Sequence, residues 1–284
     1  MTDKRDYLAA LGIPLWLPRR SLADWPQAVD SPRSGTEPAT RIAAADAGAE
    51  GFLTDNHAPA MADDREREDE IATEPSIAAP RCRVATIAGM GWEELAVAVR
   101  ECTACGLCAT RTQTVFGVGN RQADWLVIGE APGADEDRQG EPFVGRAGKL
   151  LNPMLLAVGL KREQVYIANV LKCRPPENRD PTPDEAAQCR PFLNRQIALL
   201  QPRLILAVGR IAAQSLLATD TPIGKLRGQV HRLGPAHVPL VVTYHPAYLL
   251  RSPREKRKAW DDLRLARRAL TTEPPAPVQS AVEP

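Results

Sequence analysis

Four short apolar runs stand out in the second half of the chain, at 125–129, 165–170, 204–209 and 240–244, each of a length that suits a buried strand. Helical stretches lie between them, roughly at 147–158, 183–200 and 210–218. A last helix over about 253–270 carries Arg254, Lys256, Arg257, Lys258, Arg264, Arg267 and Arg268. Buried strands alternating with helices predict an α/β fold: three layers, α/β/α, around a central four-stranded parallel sheet. Such sheets bind ligands just past the carboxyl ends of their strands. That rule singles out Glu130 onward, Asn169 with its neighbours, and Tyr244–His245 onward.

The pattern changes before Trp92. Residues 21–90 are rich in Ala, Pro, Asp, Glu and Arg and keep no sustained period. Stretches such as DSPRSGTEPATR and ADDREREDE hold too little large apolar side chain to offset the entropy of ordering, so they read as a disordered linker. The expected organisation is a docking peptide over 1–20, a linker over 21–90, a domain over 91–272 and a flexible tail over 273–284.

Composition narrows this only a little. Of 284 residues 44% are hydrophobic and 25% charged, with a net charge of +1, as in ordinary soluble proteins. A neutral total leaves nucleic acid open as a partner, because a local basic stripe is what matters. No apolar run approaches the roughly 18 residues of a membrane span. The N-terminus shows no secretion signal, and the expected compartment is the bacterial cytoplasm, near the nucleoid. In that reducing setting six cysteines are better read as metal ligands, buried thiols or nucleophiles than as disulfides.

Cys102 and Cys105 form a C-x2-C pair, and Cys108 repeats the step. Cys173 follows the second strand, and Cys189 follows it across the Pro-rich stretch CRPPENRDPTP. Two adjacent ligands plus two distant ones can enclose a tetrahedral metal or a cubane cluster, and spacing does not separate zinc from iron–sulfur. Cys82 sits in the low-complexity region.

After the first strand comes GEAPGADEDRQGEPFVGRAGKLLN. A phosphate-binding P-loop is excluded, since Leu150 follows Gly148-Lys149 where a hydroxyl residue is needed, and the dinucleotide G-x-G-x-x-G is absent. What remains is a long loop with acidic groups, Glu130, Asp135, Glu136 and Asp137, and one aromatic, Phe143. The last strand ends in VVTYHPAYLLRSPREKRK, where His245 precedes a proline that fixes the turn. Apolar wedges beside phosphate-neutralising cations are what an enzyme needs to push a base out of a DNA stack. Leucines packed inward at a helix start would give the same letters.

Together CTAC, FGVGN, GEAPGADEDRQGEPFVGRAGKLLN, YIANVLKCRPPENR and HPAYLLR resemble the family 4, iron–sulfur uracil-DNA glycosylases, in that family's order and spacing. The resemblance implies a 4Fe-4S cluster on Cys102, Cys105, Cys173 and Cys189, in a structural role. It implies an enzyme that removes uracil from double- and single-stranded DNA in base excision repair. His245 would donate to uracil O2, where charge gathers as the C1′–N1 bond breaks. Asn169 would read O4 and N3–H with its paired acceptor and donor. Phe143 would stack on the flipped ring, and Glu136 would crowd the C5 side against thymine's methyl. The water-activating aspartate of the best-known uracil glycosylases aligns with Ala131, which cannot act as a base. Glu130 stands beside it, and the expectation is that backbone groups chiefly hold the water. Leu249 and Leu250 would form the wedge, and Arg251 with the basic helix would grip phosphates.

Residues 4–20, KRDYLAALGIPLWLPRR, are the one apolar cluster ahead of the linker and resemble the start of the psi subunit of the bacterial replicative clamp loader. A docking peptide that brings the enzyme to the replication machinery is expected there. The expected state is a monomer. Competing readings are a non-enzymatic DNA-binding relative, a related branch trapped covalently on uracil, and an iron–sulfur redox enzyme. The presence of Glu130, Phe143, Asn169 and His245, the absence of a histidine in CRPPENRDP and the absence of a flavin or nucleotide motif count against these in turn.

Overall fold

The computed structural model describes residues 78–272. The docking peptide expected over 1–20, most of the linker expected over 21–90 and the tail expected over 273–284 lie outside the described residues. Two helices come first, α1 (Ala78–Gly89) and α2 (Trp92–Arg100). There follow β1 (Val118–Gly119), β2 (Trp125–Gly129), α3 (Ala134–Gln139), α4 (Arg146–Ala157) and β3 (Tyr166–Asn169). Next are α5 (Pro183–Leu200), β4 (Leu204–Val208), α6 (Arg210–Leu217) and α7 (Ile223–Leu226). The chain continues through β5 (Val230–Leu233), β6 (Val238–Thr243), α8 (Pro246–Arg251) and α9 (Lys256–Thr272).

The strands lie in the order β1-β3-β2-β4-β6-β5. β3, β2, β4 and β6 are parallel, and these are the four strands expected from the apolar runs. Among the described residues the sheet has six strands, however, not four. The two extra strands pair antiparallel at the edges, β1 on β3 and β5 on β6. Neither has a buried apolar run to announce it: β1 is two residues long, and β5 alternates between exposed and half-buried positions. A second correction concerns α1, which occupies the end of the expected linker. Its Ile87 is buried against Leu95, Val99 and Phe192, so packing orders a segment whose composition alone would not.

Alternate residues of the parallel strands point to opposite faces, and each face has its own core. Val127, Ile167, Leu206 and Val241 meet α4, α8 and α9 through Leu151, Met154, Leu249, Trp260 and Leu263. Leu126, Ile128, Ala207 and Val242 meet α5, α6 and α7 through Leu193, Ala213, Leu216 and Leu226. Burying both faces explains why these strands read as unbroken apolar runs. In register, Gly129 at the end of β2 is the partner of Asn169 at the end of β3, and Val208 is the partner of Thr243. Two of the three predicted loci therefore stand side by side, and the third is one parallel strand beyond β4.

Candidate active site

Gly129 is the floor of the site. A β-carbon there would lie 2.5 Å from Asn169 Oδ1 and 2.6 Å from Phe143 Cζ, so only glycine lets the amide and the ring converge. Asn169 is buried, and its Oδ1 has no hydrogen-bond partner. A buried carbonyl oxygen left unpaired costs about 1–3 kcal/mol, and binding sites are where such a cost is met by a ligand.

Phe143 reaches this point by an unusual backbone. Its φ of 55° lies in the left-handed region that residues with a β-carbon avoid. The loop is gripped from two directions. Glu136 Oε1 accepts from the amides of Val144 and Gly145, both at 3.0 Å, while its Oε2 accepts from the Gly133 amide at 3.1 Å. Arg162 donates to the carbonyl oxygens of Pro142 and Phe143. Gly148, on the first turn of α4, admits the Phe143 carbonyl, which would stand 1.7 Å from a β-carbon there.

His245 ends the run of β6 and caps α8. Its Nδ1 accepts from the Ala247 amide at 3.2 Å, which leaves the proton of a neutral ring on Nε2. Burial, with Arg251 nearby, depresses its pKa to about 4 against a weaker pull from Glu136, so the ring is neutral at pH 7. Its centroid is 5.6 Å from that of Phe143. Gly209, at φ 100°, begins α6 close by, and a β-carbon there would press on the His245 Cβ at 3.1 Å.

Glu130 follows Gly129. Burial, reinforced by Asp180, raises its pKa to about 7 against the opposing charge of Arg210, which itself pairs with Asp180. Ala131 packs against the cluster that holds Cys173 and Cys189. Of the two expected wedge leucines, Leu249 is fully buried in the core under the sheet and cannot reach DNA; Leu250 and Arg251 are exposed. The helix start decides this, since α8 turns the first leucine inward and leaves its neighbour outside.

The cysteines form a second locus. Cys102, Cys105, Cys173 and Cys189 line one cavity with Val99, Arg111, Lys172 and Phe192, and Cys108 is not part of it. All four are free thiols. N–H groups are directed at three of the sulfurs: Arg83 at Cys102 (3.6 Å), Arg111 at Cys173 (3.0 Å) and the Lys172 amide at Cys189 (3.2 Å). Burial raises the Cys173 and Cys189 thiols, and Arg111 and Lys172 pull them back. Among the described residues no three His, Cys, Asp or Glu side chains are grouped to hold a single metal ion. Two ties fix the walls. Asp137 accepts from the Thr112 amide at 3.0 Å, joining the cysteine loop to α3. Thr182 and Glu185 cap α5 reciprocally, with Arg179 paired to Glu185, so the loop after Cys173 is fastened to the helix that bears Cys189.

Arg162 and Lys172 are the functional candidates that pattern reading misses. Both act through backbone carbonyls, which leave no signature in the sequence.

An aromatic ring, an amide and a neutral imidazole gather at the carboxyl end of a parallel sheet, groups that suit a flat, hydrogen-bonding ring. The model of the uracil DNA glycosylase superfamily matches residues 116–264. A type-4 uracil-DNA glycosylase of Archaeoglobus fulgidus is 46% identical over 173 residues, covering 58% of this chain and 86% of that protein. One of Thermotoga maritima is 47% identical over 156 residues, covering 54% and 80%. A type-5 enzyme of Thermus thermophilus is 37% identical over 119 residues, covering 37% and 54%. The chain belongs to the uracil DNA glycosylase superfamily, and the resemblance to family 4 read from its motifs is borne out. No helix among the described residues is long and apolar enough to cross a membrane.

Proposed function

We propose that the chain is a uracil-DNA glycosylase, which takes a uracil flipped out of DNA and hydrolyses its bond to deoxyribose, leaving an abasic site. The observation that carries this reading is the buried, unpaired Oδ1 of Asn169, which converges with the Phe143 ring over Gly129. An amide supplies one acceptor and one donor, which suit the N3–H and O4 of uracil. Cytosine offers an unprotonated N3 and an amino group in those places and would be matched only by the amide turned over.

Breaking the C1′–N1 bond leaves negative charge on the base. The Nε2–H of His245 meets that charge at O2, and because the ring is already neutral and fixed by Ala247, it needs no reorganisation. Water approaches the sugar from the side of Glu130, held chiefly by backbone groups, with the half-ionised carboxylate assisting. Glu136 excludes the thymine methyl by fixing the Phe143 loop, since its oxygens are committed to three amides. Leu250 fills the gap in the stack, and Arg251 meets phosphate.

The cysteine cavity suits a 4Fe-4S cluster held by Cys102, Cys105, Cys173 and Cys189: the donors are soft thiols, and three carry N–H groups that would stabilise charge on sulfur. Such a group would supply a cross-link between the loop before β1 and the chain after β3. Residues 4–20, outside the described part, would dock on the replicative clamp loader; unchanged binding to clamp-loader proteins after deletion of 1–20 would count against that.

The test is a strand-nicking assay on a uracil-containing oligonucleotide, with anaerobically purified protein followed by alkali. Cleavage at uracil and none at thymine is expected, with a large loss in His245→Ala. No cleavage from iron-loaded protein would replace this reading with a non-enzymatic DNA-binding role.

A further inference from the structure

Lys172 is 1% exposed, and every polar group it has is committed. Its amide donates to Cys189 Sγ at 3.2 Å, and its carbonyl accepts from the Val115 amide at 2.7 Å. Its Nζ turns back to donate to the carbonyl oxygen of Asn169 at 2.8 Å and to Gln196 Oε1 at 2.7 Å. Gln196, also buried, passes the connection on to the Phe116 carbonyl at 2.9 Å. The backbone of Asn169 is thus tied to the residue whose amide rests on a cysteine of the second locus.

The charge needs its own explanation. A buried ammonium is costly unless an opposite charge is near. Among the described residues no carboxylate pairs with Lys172, and it lines the cavity together with Cys102, Cys105, Cys173 and Cys189. An uncharged stem would fill the same space, so the ammonium fits a cavity whose occupant is anionic.

We propose that Lys172 is a positioning residue that couples the cysteine site to uracil recognition: the anionic occupant holds the ammonium, and the ammonium holds the strand end that aims Asn169. The proposal rests on the uracil reading above. Its physical basis is that residues just outside a metal's ligand shell orient what lies beyond them as well as tuning the metal.

The test compares the iron-loaded full chain with Lys172→Met, which keeps the stem and removes the charge. Three quantities are read: inhibition by free uracil, the single-turnover excision rate, and the midpoint potential of the bound iron. In Lys172→Met inhibition by uracil should weaken and excision slow by about tenfold or more, as for other outer-shell changes. The potential should fall, because a positive charge near the iron is gone. Uracil inhibition and excision both within about twofold of the parent would overturn the proposal. If Lys172→Met does not accumulate as folded, iron-loaded protein, Gln196→Leu serves instead, since it removes one acceptor of the ammonium and leaves the cysteines and Asn169 intact. There, weaker uracil inhibition supports the coupling and an unchanged value overturns it. A parent that releases no uracil at all would fail the uracil reading instead, and the shift in potential would then decide whether Lys172 serves the iron alone.

Discussion

Arg162 donates to the carbonyl oxygen of Phe143 at 3.3 Å, across 19 positions of sequence, and so holds a residue whose φ of 55° would otherwise relax. A left-handed non-glycine residue costs about 1–3 kcal/mol and persists only where its surroundings enforce it. Arg162 on the carbonyls and Glu136 on the following amides supply that enforcement. Arg162→Gln should therefore lower excision by about tenfold and weaken inhibition by free uracil, through lost orientation of the stacking ring. Steady-state kinetics check this, and an unaltered kcat and KM would refute it.

Gly129→Ala places a methyl group 2.5 Å from Asn169 Oδ1 and 2.6 Å from the Phe143 ring. Uracil excision should fall by about a hundredfold or more, because a displacement near 1 Å at a reacting centre is felt on that scale. The sheet behind it is untouched, so circular dichroism should match the parent. A fully active Gly129→Ala protein would show that the amide and the ring do not need to meet there.

Glu130 ionises at about pH 7, because burial disfavours its charged form, whereas His245 takes up a proton only near pH 4. A carboxylate that assists water works when ionised, so the excision rate should climb as pH rises through about 7. In Glu130→Ala the climb should disappear while excision stays measurable, with a loss of about tenfold rather than the hundredfold or more of a full general base. Single-turnover rates from acid to mildly alkaline pH test both parts. Complete loss in folded Glu130→Ala protein would mean that backbone groups do not hold the water.

Leu249 and Leu250 should separate stability from substrate handling. Leu249 is fully buried, so Leu249→Ala should destabilise the fold by about 2–5 kcal/mol in chemical denaturation. Leu250 is 37% exposed, so Leu250→Ala should leave stability nearly intact. It should slow excision from double-stranded DNA more than from single strands, where no partner base has to be opened. An equal effect on both substrates would remove the wedge role.

The parts of the fold that were legible are those where burial is total. β2 and β4 are buried along their whole length, and their composition gives them away. β5, with His231 and Arg232 at an edge, has no such run. The strand-end rule singled out Asn169 and His245, and they stand at the end of β3 and just past β6, because parallel strands deliver their carboxyl ends to one side. Lys172 stayed hidden for the opposite reason: lysine is expected at the surface, and nothing local says that this one is sealed inside. Leu249 and Leu250 are interchangeable as letters, and only the phase of α8 tells them apart. Arg162 is unreadable because its partners are carbonyls, which every residue has.

The order in which the parallel strands enter the sheet has a consequence for the growing chain. Gly129, Asn169 and His245 emerge from the ribosome in that order, and the strand leading to His245 pairs with β4, not with β2 or β3. A nascent polypeptide therefore holds the amide and the stacking ring well before it can supply the imidazole. The imidazole joins the amide and the ring only when β6 has closed onto β4, so the three groups come together only in a complete sheet.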